Sequence, residues 1–187
     1  MMEVRIHGFT PYSKVNGPGE RSVLHLQGCR FACPGCFNPE THSLDAGQVV
    51  SVDTILSWIP IEVGGVTISG GEPFLQQEAL LELVRKLRLQ GKSLIIFSGF
   101  YHREIMRLRH GVEILSYVDA LIDGRFDQEK MSVYSLHGSD NQRVHLFTDR
   151  YNLCDFQDRD IEITFDLVGN VSITGFPTES ILKQFKR

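Results

Sequence analysis

Three cysteines within eight residues, Cys29, Cys33 and Cys36 in Gly28-Cys-Arg-Phe-Ala-Cys-Pro-Gly-Cys-Phe37, constrain this 187-residue chain more than any other feature. Together they make a metal-sulfur site one ligand short. A closed zinc site takes four protein ligands and an ordinary iron-sulfur cluster four thiolates, whereas a site built for chemistry leaves a coordination position open. Two readings of the triplet therefore stand: an open iron-sulfur site, or a zinc site completed by Cys154 or by His42, six residues beyond Cys36. Cys154 has neither a CxxC partner nor a nearby histidine, and a lone cysteine is more often a small buried hydrophobe.

Around the triplet the hydrophobic pattern alternates between strands and helices, which points to a parallel sheet covered by helices. Strands are predicted at Val4–Phe9, Ser22–Gln27, Gly65–Ser69, Ser93–Ser98, Ala120–Ile122 and Arg143–Phe147. Helices are predicted at Val52–Ile59, Gln76–Leu89 and Tyr101–Arg109. A carboxy-terminal hairpin follows, Ile161–Leu167 and Val171–Ile173 joined by Gly169-Asn170, then a short helix at Glu179–Phe185. In such sheets ligands bind outside the carboxyl ends of the strands. The cysteine loop, Gly70-Gly71-Glu72, Ser98-Gly99 and Asp123-Gly124 each follow a predicted strand, so four loops converge on one site. Gly70 and Gly71 remove side chains that would keep a ligand from the backbone, and Pro73 stiffens the exit toward the next helix.

The CxxxCxxC spacing resembles the signature of the radical S-adenosylmethionine (SAM) superfamily, and Val66-Thr-Ile-Ser-Gly-Gly-Glu-Pro-Phe74 resembles its GGE motif. Ala120-Leu-Ile-Asp-Gly-Arg-Phe126 followed by Gly138-Ser-Asp-Asn-Gln-Arg143 resembles the downstream signature of anaerobic ribonucleotide reductase activating proteins. Cys36-Phe-Asn-Pro-Glu-Thr41 and Ser98-Gly99-Phe100 agree, and the resemblance spans about residues 5 to 148. One departure is Gly35, where many members carry an aromatic residue against the adenine; Phe31 or Phe37 would have to take that place.

The resemblance implies an α/β fold, a partial (β/α)6-type radical SAM barrel with a carboxy-terminal β-hairpin and short helix. It implies one 4Fe-4S cluster on Cys29, Cys33 and Cys36, with SAM on the open iron, contacted by Gly70, Gly71, Glu72, Ser98 and Asp123. Glu72 would supply negative charge near the cationic ligand. Asn141, Gln142 and Arg143 resemble family residues near the partner-facing end, although a polar loop capping a strand fits them as well. Electron transfer from the reduced cluster cleaves SAM to methionine and a 5′-deoxyadenosyl radical, so the cofactors carry the reaction and no further catalytic side chain is expected. The implied partner is a glycyl-radical enzyme, anaerobic ribonucleotide reductase, whose glycine yields a hydrogen. Further CxxC pairs are absent, so a single cluster is expected, with flavodoxin or ferredoxin as the electron donor. A small-molecule radical SAM enzyme, such as a 7-carboxy-7-deazaguanine synthase, shares the barrel and the GGEP run, but the DGRF and GSDNQR segments argue against it. A zinc-binding structural module is the third reading.

Composition sets the remaining bounds. A net charge of −4 carries no basic surplus for nucleic acid. In Arg85-Lys86-Leu87-Arg88 the charges fall on the solvent face of an amphipathic helix whose apolar stripe is Leu80, Leu83, Val84 and Leu87. No membrane span or signal peptide is legible, and free thiols point to a reducing compartment, so the expectation is a cytoplasmic protein. The length suits one domain over residues 1–187, with 151–187 as a carboxy-terminal extension. His7, His25 and His145 fall in apolar strands, where a hydrogen-bonded core histidine is the usual case.

Overall fold

The computed structural model describes residues 2–132, 134–158, 160–165, 168–169, 171–176, 181, 184 and 185. In chain order the elements are β1 (Glu3–Ser13), β2 (Arg21–Leu26), β3 (Gln48–Ser51), α1 (Val52–Trp58), β4 (Gly65–Gly70), α2 (Gln77–Leu89) and β5 (Ser93–Ser98). They continue with α3 (His102–Ile105), α4 (Gly111–Leu115), β6 (Ala120–Asp123), β7 (Arg143–Leu146), β8 (Ile161–Phe165) and β9 (Val171–Gly175). Seven strands form one sheet in the order β3-β1-β2-β4-β5-β6-β7, and β8 pairs with β9 as a separate hairpin. The expected closing helix at Glu179–Phe185 lies largely outside the described residues.

The middle of the sheet is parallel, β2 with β4, β4 with β5 and β5 with β6. Its flanks are antiparallel, β1 with β2, β3 with β1 and β7 with β6. The sheet is therefore mixed where the alternating pattern suggested a parallel one. Between β6 and β7 the described residues form no α-helix, only a three-residue 3-10 turn, Gln128–Lys130, and an antiparallel bridge between Met131 and Ser139. A parallel return needs a crossover of a dozen or more residues, usually helical, whereas this segment folds back on itself and brings β7 in antiparallel. Of the helix expected at Tyr101–Arg109 only α3 forms, and a second short helix, α4, follows beyond it. The chain turns after α3 and restarts at Gly111, whose missing side chain leaves room for the carbonyl oxygen of Ile105.

One sheet face supplies Leu24, Leu26, Val66, Ile68, Leu94, Ile96 and Leu121 to the main core. The α2 stripe Ala79, Leu80, Leu83, Val84 and Leu87 covers it, all five side chains being buried. The spacing of those positions keeps one face of a 3.6-residue helix on the sheet, and each large apolar side chain contributes about 1.5–3 kcal/mol by leaving water. The opposite face presents Ile95, Ala120 and Ile122, closed over by Leu136 and Phe156, with Phe97, Tyr151 and Phe176 packed around them. The sheet is thus sandwiched, with the later part of the chain forming its second cover.

At the amino-terminal end of the parallel strands, Arg21 is 1% exposed. Its Nε donates to Thr67 Oγ1 at 2.6 Å and its Nη1 to the Pro18 carbonyl at 2.7 Å and Tyr151 Oη at 3.2 Å. Its Nη2 donates to the Val66 carbonyl at 3.2 Å. Burial lowers its pKa, and no carboxylate of the described residues stands within ion-pairing distance. Hydrogen bonds and the face of the Tyr151 ring, whose centre lies 5.9 Å from the guanidinium carbon, hold this cation, which ties the foot of the sheet to the chain beyond β7. Among the described residues no helix is long and apolar enough to cross a membrane.

Candidate metal centre

The cysteine loop leaves the carboxyl end of β2 and is pinched at its base. The Gly28 N–H donates to the Thr41 carbonyl at 2.8 Å and the Cys29 N–H to the His42 carbonyl at 3.1 Å. Inside the loop Ala32 has φ 46° and Gly35 φ 69°. A Cβ on Gly35 would lie 2.8 Å from Gln128 Oε1, so a side chain before Cys36 would strain the turn and displace Gln128. Cys29, Cys33 and Cys36 are half-buried, while Cys154 is exposed on a 3-10 turn, Leu153–Phe156.

Burial pushes the Cys29 and Cys36 thiols up from their ordinary range. Amide N–H groups work against this, those of Phe31 and Ala32 on Cys29 and that of Asn38 on Cys36, the last at 3.4 Å from Sγ. Neighbouring thiols press both upward, as does Glu72 on Cys29. Thiolates gathered this way are stabilised by a cationic partner. Among the described residues no group of three or more His, Cys, Asp or Glu side chains is drawn together around a single ion. His42 Nε2 is buried with no hydrogen-bond partner, yet it joins no such group. A single zinc ion needs all its ligands around one point, whereas a cubane cluster offers a separate iron to each sulfur. Three half-buried thiols on one loop, with amide N–H groups turned to sulfur, suit the donor set of an iron-sulfur cluster.

The Gly70-Gly71-Glu72 turn is bonded to the base of this loop. The Gly71 N–H donates to the Leu26 carbonyl and the Glu72 N–H to the Gly28 carbonyl, each at 2.8 Å. Gly70 has φ 96°, and a Cβ there would stand 2.6 Å from the Leu26 oxygen. A Cβ on Gly71 would run into the Gly28 carbonyl. Both glycines are thus needed for the turn to lie against the residue before Cys29.

Glu72 is 1% exposed and does not reach into solvent. Its Oε1 accepts from the Phe74 N–H at 3.0 Å and from Ser98 Oγ at 2.8 Å, and its Oε2 accepts from the Gly99 N–H at 2.7 Å. Burial outweighs these donors and pushes its pKa up to about 7. Glu72 therefore fastens the end of β4 to the end of β5, and Ser98 is held by it while accepting from the Phe100 N–H at 3.0 Å.

A third strand end closes the arrangement. Asp123 Oδ2 accepts from the His102 N–H and stands 3.1 Å from His145 Nε2, a contact out of line for a hydrogen bond, while its buried Oδ1 has no partner among the described residues. The His102 and His145 rings stack at 4.8 Å. Arg125 pairs with Glu104 at 3.0 Å and 3.2 Å and lies over Phe31 of the cysteine loop, 4.5 Å from the ring centre. Phe31 in turn sits edge-on to Phe100 at 4.8 Å and fills the space a side chain at Gly99 would need. Asn141 Nδ2 donates to the Arg125 carbonyl at 2.8 Å and Gln142 Nε2 to the Gly124 carbonyl at 2.7 Å, so this pair staples the loop after β6.

The four loops anticipated from sequence are thus joined, three of them directly through Glu72. Sequence reasoning missed the fastening roles of Glu104 and Arg125, and the packing of Gln128 against the turn at Gly35. Arg125 was already inside a quoted motif, whereas nothing near Glu104 marks it. Beside the base of the cysteine loop opens a cleft of about 450 Å³ lined by Gly28, Arg30, Phe74, Gln76, Phe100 and Leu108 among others. Gly70, Ser98 and Asp123 do not line it. His25 is half-buried, and desolvation together with His7 lowers its pKa to about 4, so it is a neutral strand residue.

Residues 15–145 match the family model described as a 4Fe-4S single cluster domain. The anaerobic ribonucleoside-triphosphate reductase-activating protein of Enterobacteria phage T4 is 36% identical over 149 residues, covering 74% of this chain and 92% of its own length. The proteins of that name from Salmonella typhi and Escherichia coli (strain K12) are each 32% identical, covering 76% and 74% of this chain and 98% and 96% of their own lengths. Among solved structures, QueE from Escherichia coli aligns with 53% of this chain and 54% of its own at 22% identity and a TM-score of 0.45, a partial likeness. With the cysteine loop fastened to a GGE turn and relatives matched over nearly their whole length, the chain belongs to the family of anaerobic ribonucleoside-triphosphate reductase-activating proteins.

Proposed function

We propose that this chain is a radical SAM activating enzyme that reductively cleaves SAM and takes a hydrogen from a glycine of a partner, anaerobic ribonucleoside-triphosphate reductase. Cys29, Cys33 and Cys36 would hold a 4Fe-4S cluster with one iron left open. Bound together, the cluster and SAM supply the electron and the hydrogen-abstracting group. The observation that carries the reading is the bonding of the Gly70-Gly71-Glu72 turn to the carbonyls of Leu26 and Gly28, next to the first of three half-buried thiols.

The protein's own part is orientation and exclusion of water. Gly70 and Gly71 carry no side chains between the turn and a ligand, and Glu72, as a carboxylate, would offset the positive charge of a sulfonium or ammonium nearby. Ser98 would act through Glu72, to which it donates at 2.8 Å. Asp123 keeps one buried carboxylate oxygen unpaired, which supports a polar ligand at the β6 end. The mixed sheet would be the wall of a partial barrel, and residues 1–187 would act as one domain with 151–187 as an extension. A glycine suits the substrate role because a backbone without a side chain passes most easily into a recessed site. A flavodoxin or ferredoxin would deliver the electron.

The test is anaerobic reconstitution with iron and sulfide, reduction with dithionite, and assay of 5′-deoxyadenosine with SAM present. Iron uptake on the three cysteines, SAM cleavage, and a radical on the reductase partner that disappears when its glycine is replaced by alanine are expected. A colourless, zinc-loaded protein that leaves SAM intact would overturn the proposal.

A further inference from the structure

The matched relatives are used over 92–98% of their lengths, yet they account for only 74–76% of this chain, and the family model ends at residue 145. Tyr151, Phe156 and Phe176, which cover the second face of the sheet, lie beyond the end of that model. We propose that this carboxy-terminal segment braces the cysteine loop, and that Phe176 is the positioning residue through which it does so. The inference rests on Cys29, Cys33 and Cys36 being the cluster ligands.

Two attachments fix the segment to the body. Leu136, Phe156 and Tyr151 lie on the sheet, with the Leu136 N–H donating to the Phe156 carbonyl at 2.9 Å. The hairpin is tied to the turn between β1 and β2, where Asn16 Nδ2 donates to Thr174 Oγ1 at 2.7 Å and the Lys14 N–H to Glu162 Oε2 at 3.3 Å. At the end of β9 the chain turns through Gly175, φ 92°, and the Phe176 N–H donates to the Asp160 carbonyl at 3.3 Å. That turn delivers the Phe176 ring edge-on to Phe37, with centroids 5.3 Å apart at 89°.

Phe37 directly follows the third cysteine. Phe126 holds its ring from another side at 5.0 Å, and Gly138 leaves it room, since a Cβ there would stand 3.0 Å from the ring. The same Phe126 and its neighbour Gln128 back the turn at Gly35. The half of the loop that carries Cys33 and Cys36 is therefore supported by the loop after β6 and, from the hairpin, by Phe176. An edge-on aromatic pair restrains a ring more than apolar burial alone does. Removing Phe176 leaves one edge-on contact fewer on Phe37 and so loosens the backbone joined to Cys36.

Peptide-resolved alkylation of the reduced, metal-free full-length chain tests this directly. Phe176→Ala should raise the iodoacetamide reactivity of Cys36 roughly threefold to tenfold, the range an aromatic pair commands. Cys154 should be unchanged as an internal control, and Phe176→Tyr should restore the slow rate. Phe165→Ala, which alters an exposed hairpin phenylalanine, should leave Cys36 at the wild-type rate. After reconstitution, Phe176→Ala should also lose iron to a chelator faster than wild type. Wild-type reactivity at Cys36, or an equal rise at Cys154, would overturn the proposal. Should Phe176→Ala fail to fold, Phe176→Leu decides in the same assay. A wild-type chain that takes up no cluster would sink the cofactor reading, whereas the alkylation arm still judges the brace.

Discussion

Replacing Glu72 by glutamine keeps the shape of the side chain and removes its titration. In the ligand-free protein, burial holds the Glu72 pKa at about 7, against an ordinary value of 4.5. Between those values the folded protein keeps a proton that the unfolded chain has released. The stability this group contributes is therefore whole below pH 4.5 and drains away as pH rises through about 7. The interval is worth roughly 3 kcal/mol at about 1.4 kcal/mol per pH unit. Glu72→Gln carries no such slope, but its amide nitrogen faces the Gly99 N–H that now donates to Oε2 at 2.7 Å, a mismatch costing about 1–3 kcal/mol at any pH. Wild type should thus be the more stable at about pH 4.5, and its lead should shrink by roughly 3 kcal/mol, or some 6–12 °C in Tm, by about pH 8. His25, lowered to about 4 and common to both proteins, pulls the other way and cancels in the difference. Urea and thermal unfolding of the metal-free proteins at both ends of the range measure it. A gap between the two proteins that stays constant with pH would refute the claim that burial keeps the proton on Glu72.

Cys33→Ala should abolish cluster assembly on iron and sulfide reconstitution, whereas Cys154→Ala, on an exposed turn, should retain wild-type iron; iron loss in the second variant would bring back a four-ligand site. Gly71→Ala drives a methyl group at the Gly28 carbonyl and should lower stability by about 2 kcal/mol or more and impair iron uptake. Gly64→Ala meets open space and should stay within about 1 kcal/mol of wild type by urea unfolding, the comparison failing if both alanines behave alike.

The parts of the fold that could be read from sequence are those where one local signal dominates. β4, β5 and β6 are short apolar runs ended by Gly-Gly, Ser-Gly and Asp-Gly, and α2 repeats its buried positions at helical spacing. β3 escaped because only Val50 of its four residues is buried, so its strand state is set by pairing with β1 and not by pattern. The antiparallel approach of β7 was hidden for a similar reason, since chain direction depends on the path between strands. Arg88 was read as part of a solvated face, yet it stands 2.9 Å from the buried Asp119, a partner across the fold that spacing along α2 cannot reveal. At the candidate site the cysteines and glycines were legible because each is tied to a backbone or bonding requirement. The bonds of Glu72 were not, since a carboxylate in a glycine turn looks the same in sequence whether or not it also closes on Ser98 and Gly99.

The burial of Arg21 has a consequence for how the chain reaches this state. A guanidinium leaves water only when its acceptors are assembled, and those of Arg21 come from Pro18, the Val66–Thr67 stretch and Tyr151, the last 130 residues away in sequence. Pairing of β2 with β4 can prepare the nearer acceptors, but the foot of the sheet stays hydrated until the chain beyond β7 returns. Contacts of such long range are slow to form. Refolding is therefore expected to show a late phase reporting on Tyr151, with amides at the start of β2 gaining exchange protection only in that phase.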